Sequence, residues 1–182
     1  MRITVTPEQV KTAFDAVKDD PSMAESAAAV ARGGLPAEML QAMALRPELL
    51  RAFAGMGDAV YPGGLLERPL QERVILESSR ANACQFCTNA HVAIMRQLGI
   101  ADDPLATLEN LTALTDRERL AVEYTRAAME DSNKVSEALF TRLHQAFTDP
   151  ELVELTFLIG YINLLNLFNN CLHVTYKGDY EG

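Results

Sequence analysis

Residues 82–91, NACQFCTNAH, set three reactive side chains at close spacing. Cys84, Cys87 and His91 follow one another at steps of three and four residues. On an α-helix these steps place side chains along one face, within reach of one another. Three interpretations fit: a metal site, a redox-active cysteine pair with an imidazole base, or inert side chains packed in a helix.

A helix start at this point would favour the redox interpretation. Asn82 and Gln85 have the spacing of a capping box, so we expect a helix from Asn82 with both thiols in its first turns. The partial positive charge of a helix N-terminus favours thiolate over thiol. Cys-x-x-Cys spacing also brings two sulfurs close enough to join, so that one thiol can resolve the oxidised product of the other.

The preceding segment adds a carboxylate, Glu72. Arg73, Glu77 and Arg80 recur at steps of four and three, which predicts a solvent-facing stripe with paired charges, and Glu72 lies off this stripe on a mostly apolar side. A glutamate in a first helical turn often caps the helix, but Pro69, three residues earlier, has neither a side-chain acceptor nor an N–H. We therefore expect a buried carboxyl with a raised pKa, which suits a proton shuttle.

The elements that would position these residues are helices. N-caps, prolines at helix starts and glycine-containing stops predict helices at about 7–17, 23–31, 36–45, 47–60, 69–81, 82–98, 115–130 and 135–147, with a long last helix from Asp149. The chain has no convincing run of alternating strand residues. The predicted fold class is all-α.

A short internal repeat suggests a duplicated helix-turn-helix unit. The segments 72–81 (ERVILESSRA) and 118–127 (ERLAVEYTRA) share Glu, Arg, Glu, Arg and Ala at equivalent positions without gaps. Two such units packed about a local twofold would produce this pattern, and so would chance similarity between two helices with one surface pattern. The reactive residues follow only the first copy.

The composition is typical of a soluble globular protein and argues against some classes of partner. The chain has 182 residues, of which 48% are hydrophobic, and its formal charge is −9, without a cluster of Lys or Arg. This acidic balance argues against a nucleic-acid partner, and the first residues do not have the pattern of a signal peptide. We therefore expect a cytoplasmic protein, in which a close cysteine pair is more often catalytic or metal-binding than a structural cross-link.

The final long segment, 155–176, contains no Asp, Glu, Lys or Arg and is long enough to cross a bilayer. Asn163, Asn166, Asn170 and His173 fall at steps of three, four and three, which predicts one polar stripe on a helix. Such polar groups are costly in hydrocarbon. We expect a helix buried between subunits or against its own domain, and no membrane partner.

The sequence resembles the signature of alkyl hydroperoxidase D (AhpD) and its peroxidase-related relatives. The resemblance consists of Glu72, eleven intervening residues, Cys84-Gln-Phe-Cys87, three further residues and His91. These proteins belong to the carboxymuconolactone decarboxylase-like superfamily. The resemblance covers about 70–99, with looser support from the asparagine-rich last helix. One position departs from it: Phe86 stands where the best-studied members carry a histidine, although many relatives have an aromatic residue there.

The resemblance implies a fold and a mechanism. The protomer would be a single AhpD-like domain over 1–182, with an N-terminal helical arm (1–60), a core bearing the cysteine pair (65–131) and C-terminal helices (133–182), assembled as a trimer or hexamer. Cys87 would attack a hydroperoxide and Cys84 would resolve the sulfenic acid as a Cys84–Cys87 disulfide. His91 would take the Cys87 proton, with Glu72 behind it as a relay. The enzyme would need no cofactor, and a dithiol or lipoyl-type protein would reduce it.

Several alternatives stay open. A structural zinc site wants four ligands, and the other candidates, His144, His173 and Cys171, are isolated in the sequence. The pair could instead serve thiol–disulfide exchange without peroxide, although no βαβ pattern indicates a thioredoxin fold. The chain could also be a non-catalytic helical oligomerisation module with buried, inert thiols. Lactone decarboxylation is disfavoured, because the resemblance does not lead us to expect a Cys-x-x-Cys pair in that branch. For Cys171 we expect core packing.

Overall fold

The computed structural model describes residues 1–178 and 180, apart from the side chains of Ser22, Glu25 and Asp58. Within this part of the chain the regular structure is helical, without a strand, so the all-α prediction is confirmed. The helices are α1 (Pro7–Asp15), α2 (Ala24–Ala31), α3 (Glu38–Met43), α4 (Pro47–Ala59), α5 (Arg68–Ala81), α6 (Gln85–Gln97), α7 (Pro104–Glu109), α8 (Asp116–Asp131), α9 (Glu137–Ala146) and α10 (Asp149–Leu172). The short α7 was not predicted.

Local capping signals fix several of these helix starts. Thr6 is the predicted N-cap of α1, and Thr115 forms the predicted capping box of α8. At Thr6 the side chain of Gln9 completes a capping box as well. Thr148 forms a third capping box with Glu151 at the start of α10. Each box satisfies backbone N–H groups that have no partner inside the helix. These boundaries depend on neighbours within one turn and can therefore be read from the sequence.

Helix α5 is the centre of the fold and packs against α6, α8 and α10. Every residue from Leu70 to Ser79 is buried, so the predicted solvent-facing stripe is wrong at Arg73 and Glu77, whereas Arg80 is exposed. Its charges are buried because α8 supplies partners: Arg73 Nε lies 2.7 Å from Glu118, and Arg126 Nε lies 2.9 Å from Glu77. Buried charges are tolerated only when they are paired in this way.

The two copies of the sequence repeat lie on α5 and α8, which pack directly against each other. The ion pairs Arg73–Glu118 and Arg126–Glu77 therefore join one copy to the other. The local twofold relation between the copies stays a prediction.

The last helix, α10, is the one helix in the described part of the chain that is long and apolar enough to be a candidate membrane span. It nevertheless contacts α5, α6, α8 and α9, as the core helix of a globular fold does. Cys171 is exposed near its end, so the predicted core packing of that cysteine is wrong. A second face of α10 carries exposed apolar side chains, which are Val153, Phe157, Leu164 and Leu167.

Candidate active site

The cysteine pair lies where α5 ends and α6 begins. Asn82 is the C-cap of α5, and Cys84 is the N-cap of α6, so the predicted helix start at Asn82 is wrong. Between them Ala83 has a φ of 50°, a left-handed conformation that costs an alanine about 1–2 kcal/mol. The Cys84 sulfur accepts a hydrogen bond from the Cys87 backbone N–H at 3.3 Å. A sulfur atom thus takes the place of the usual capping oxygen.

Amide side chains of α10 hold this turn in place. Asn170 donates to the Asn82 carbonyl oxygen at 2.9 Å, and the Asn82 side chain donates to Asn163 at 2.8 Å and to Asn166 at 3.0 Å. Asn166 in turn donates to the Ser79 hydroxyl at 3.2 Å. Three members of the predicted polar stripe therefore bind the segment that presents the cysteines. The fourth lies apart from them, at the exposed C-cap of α10.

Cys84 and Cys87 are joined by a disulfide, with their Cα atoms 5.4 Å apart. The two sulfurs are not equivalent. Cys84 is fully buried and is not among the residues that line the cavity described next, whereas Cys87 lines that cavity and is 6% exposed. A molecule entering this cavity would reach Cys87 first.

The cavity beside Cys87 has a volume of about 110 Å³ and a mostly apolar wall. This space corresponds to a few water molecules, at roughly 30 Å³ of liquid volume each, or to a small organic group. Its aromatic wall includes Tyr61 and Phe86. The apolar lining residues are Met39, Phe53, Tyr61, Ile75, Phe86, Ala90, Ile94, Tyr161, Ile162, Leu165 and Tyr180, and the polar ones besides Cys87 are Ser79, His91, Asn166 and Asn169.

His91 lines the same cavity and is held by Glu72 from behind. Its Nδ1 lies 2.7 Å from Glu72 Oε2, and the Glu72 side chain is fully buried. An ionised carboxylate can only accept, so we assign the proton at this contact to Nδ1. In neutral imidazole this leaves Nε2 as an acceptor, able to take a proton from a group in the cavity. Cys87 lies one helical turn before His91.

Two further donors converge on Glu72. The Tyr61 hydroxyl and Arg68 Nε each donate to Oε1 at 2.7 Å, and Arg68 also donates to the Tyr61 hydroxyl at 2.8 Å. Burial alone would raise the pKa of Glu72, but the charge and hydrogen bond of His91, the Tyr61 hydroxyl and the Arg68 charge outweigh it, and the net pKa is lowered. The expected burial is thus present, whereas the expected raised pKa is wrong. Glu72 is an ionised orienting group for His91.

Two residues of the site, Arg68 and Asn169, were not predicted from the sequence. Arg68 precedes Glu72 by four residues, a spacing that could have indicated the ion pair. Asn169 lies outside the polar stripe, yet its Nδ2 is 3.2 Å from the Cys87 sulfur. No local sequence pattern relates Asn169 to Cys87, because the two residues lie on different helices that are distant in sequence.

The zinc alternative finds no support in the geometry. Among residues 1–178 and 180, no group of three or more His, Cys, Asp or Glu side chains could hold a metal ion. Cys84 and Cys87 are engaged with each other, and His144 lies 3.4 Å from Asp149 on the surface.

Part of this chain is similar in sequence to known proteins. The model of the carboxymuconolactone decarboxylase family matches residues 47–127. Protein YnjA of Escherichia coli K12 is 36% identical over 98 residues, which are 52% of this chain and 54% of the relative. The matched part thus spans about half the length of that curated relative.

Two solved structures share the fold. A peroxidase-related protein from Silicibacter sp. TM1040 superposes with a TM-score of 0.76 at 20% identity, over 100% of this chain and 94% of the other. A peroxidase-related protein from Ralstonia eutropha JMP134, described as an alkylhydroperoxidase AhpD core, gives 0.72 at 22% identity, over 98% and 93%. The family match includes Glu72, both cysteines of the pair and His91. The predicted resemblance is therefore confirmed: residues 47–127 match the carboxymuconolactone decarboxylase family, and the chain has the fold of the AhpD-like proteins.

Proposed function

We propose that this protein is a thiol-dependent peroxidase of the antioxidant type, which needs no cofactor and reduces a hydroperoxide with the Cys84–Cys87 pair. The observation that carries the proposal is the arrangement around Cys87. Its sulfur lines a largely apolar cavity together with His91, whose ring is held by the buried Glu72 carboxylate. The names of the two structural neighbours, both peroxidase-related, support the same reaction class.

The reaction begins with the reduced pair. His91 Nε2 takes the Cys87 proton, directly or through one water, and the thiolate attacks the terminal oxygen of the hydroperoxide. The O–O bond breaks, the sulfur becomes a sulfenic acid, and the alkoxide leaves with the proton from His91. The Cys84 thiol then attacks the sulfenic sulfur, which forms the disulfide and releases water. One hydroperoxide and two thiols give one alcohol, one water and one disulfide.

Reduction would run through the same cavity. A dithiol or lipoyl-type thiolate attacks the accessible Cys87 sulfur, and Cys84 leaves as a thiolate. Its position at the N-cap of α6 favours that leaving group, because the Cys87 N–H and the helix terminus stabilise negative charge there. The second thiol of the reductant then releases Cys87 and closes the reductant's own disulfide. The cytoplasm, where thiols are kept reduced, is the proposed location.

The proposed function is tested by giving reduced protein one equivalent of a small organic hydroperoxide and trapping free thiols with iodoacetamide. We expect a loss of two hydrogens localised to the peptide pair Cys84–Cys87, reversed by a dithiol. Exposed Cys171 is alkylated in every sample and serves as the internal control. Free alkylation of both Cys84 and Cys87 after peroxide would refute the peroxidase proposal. Oxidation by lipoamide disulfide alone would instead indicate a thiol–disulfide exchange protein.

We further propose that the protein is a homo-oligomer that uses the exposed apolar face of α10. Phe157 is 50% exposed on this face, where a soluble monomer has little reason to gather large apolar side chains. Phe157→Lys should lower the mass measured by light scattering to that of a smaller species. Leu98→Lys, at an equally exposed apolar residue beyond α6, should leave the mass unchanged. An unchanged mass for Phe157→Lys, or the mass of a monomer for the parent, would reject the proposal.

A further inference from the structure

We propose that Asn169 is a catalytic residue of this site, whose side-chain amide donates a hydrogen bond to the thiolate form of Cys87. The inference deepens the proposed function and rests on it in taking Cys87 as the attacking thiol. It adds a group from α10 to a set of residues that otherwise comes from α5 and α6.

The position of the amide carries the argument. Asn169 is 2% exposed and lines the cavity with Cys87. Its Nδ2 lies 3.2 Å from the Cys87 sulfur and 3.4 Å from the Met39 sulfur, while its Oδ1 is buried without a hydrogen-bond partner. Sulfur is an acceptor in both contacts, so this orientation of the amide is the chemically favoured one.

The two sulfurs satisfy this donor poorly in the oxidised protein. Disulfide and thioether sulfurs are weak acceptors, and a buried N–H without a strong acceptor is costly. Reduction of the pair turns Cys87 into a thiol that can ionise, and a thiolate is a strong, charged acceptor. The amide is therefore best satisfied when Cys87 is a thiolate, which lowers the pKa of that thiol and favours the reduced pair.

The unpartnered Oδ1 gives the same side chain a second use. A hydroperoxide carries one O–H donor, and a buried carbonyl oxygen beside the cavity can accept it. Asn169 would then hold the thiolate through its nitrogen and the O–H of the substrate through its oxygen. This arrangement orients the terminal oxygen toward the sulfur.

The other titratable groups around the cavity are His91, Tyr61, Tyr161 and Tyr180, with Glu72 behind His91. Burial raises the pKa of Tyr61 and of Tyr161, so these phenols stay neutral where thiols ionise. All five side chains are kept in the variants below. A difference between those variants and their background therefore reports the change at Asn169.

The test measures how the alkylation rate of Cys87 depends on pH in a Cys84→Ser, Cys171→Ser background, where Cys87 is the one remaining thiol. Asn169→Leu removes the donor, and the inflection of the profile should rise by about one pH unit, as expected for loss of a charge-assisted hydrogen bond. Asn169→Asp keeps the shape but places a carboxylate beside the sulfur, so a larger rise is expected. Asn110→Asp adds the same charge at an exposed residue that does not line the cavity and keeps the oxygen that accepts from the Thr112 hydroxyl, so the profile should stay at the background value.

If both Asn169 variants gave the background profile while remaining folded by circular dichroism, the inference would be overturned. A shift equal to that of Asn110→Asp would also overturn it, because the change would not be specific to Asn169. The assay contains no peroxide, so it is independent of the proposed reaction. If the parent protein did not react with hydroperoxides while the Asn169 variants still shifted the alkylation profile of Cys87, the peroxidase function would be refuted. The contact between Asn169 and the thiolate would remain supported.

Discussion

Cys87→Ser is expected to lower the rate of hydroperoxide reduction by on the order of 10³-fold or more, because a serine hydroxyl is not ionised near neutral pH and cannot replace a thiolate nucleophile. Cys84→Ser should behave differently. Its Cys87 thiolate still lines the cavity and should react once at close to the parent rate, but no second thiol can resolve the sulfenic acid. Turnover should therefore stop after one equivalent.

The two variants are compared by rapid mixing with one equivalent of peroxide and then with excess peroxide and dithiol. A sulfenic-acid trap should label Cys84→Ser on Cys87 and should not label Cys87→Ser. Cys171→Ser is the matched control, since this cysteine is exposed and separate from the pair, and it should turn over as the parent does. Labelling of Cys84 in the Cys87→Ser variant would reverse the proposed roles of the two thiols.

Glu72→Gln is expected to reduce the rate of Cys87 oxidation at neutral pH by about 10²-fold or more, the contribution of a positioned general base. Three donors, from Tyr61, Arg68 and His91, converge on the buried carboxylate. A glutamine offers one acceptor oxygen and places an N–H₂ group against the remaining donors. His91 would lose the contact that fixes its tautomer, and its Nε2 would no longer be held as an acceptor toward the cavity.

The same substitution should change how stability depends on pH. The pKa of Glu72 is lowered in the folded protein, so its contribution to stability is present above the ordinary carboxyl pKa and is lost as the pH falls through the lowered value. Chemical denaturation between pH 7 and pH 3 should therefore show a flatter dependence for Glu72→Gln than for the parent. A parallel dependence in the two proteins would contradict the lowered pKa.

Tyr61→Phe is the matched control for the Glu72 prediction. It removes one of the three donors to the carboxylate and leaves the contact between Glu72 and His91 intact. The rate should fall by less than about tenfold, since one buried hydrogen bond contributes about 1 kcal/mol. A loss as large as that of Glu72→Gln would assign the phenol a direct part in the chemistry, and equal rates for Glu72→Gln and the parent would remove Glu72 from the mechanism.

The parts of this structure that could be predicted from the sequence are those set by local contacts. The N-cap at Thr6 and the capping box at Thr115 depend on residues within one turn, and they predicted the starts of α1 and α8. Helical spacing likewise put Cys87 and His91 within one turn of each other. The prediction of the start of α6 was wrong for an equally local reason. Ala83 adopts a left-handed conformation that few alanines take, and this moves the N-cap from Asn82 to Cys84.

The remaining errors come from contacts between distant segments. Arg73 and Glu77 have the spacing of a surface stripe, but their partners on α8 let them lie in the centre of the fold. The lowered pKa of Glu72 has the same origin, since Tyr61 and His91 reach it from segments on either side of α5. Sequence periodicity describes one helix at a time, whereas burial and charge pairing are properties of the assembled helices.

The amide contacts from α10 also bear on how such a site could be moved to another protein. The family-matching segment 47–127 carries the cysteine pair, His91 and Glu72, and it would be the natural piece to graft onto a new scaffold. Yet Asn170 and Asn166, which hold the turn before the pair, lie outside that segment. The unit that would have to be transplanted is therefore discontinuous in sequence. A design that moved the reactive residues without the C-terminal helix would lack the hydrogen bonds that hold the turn before the cysteine pair.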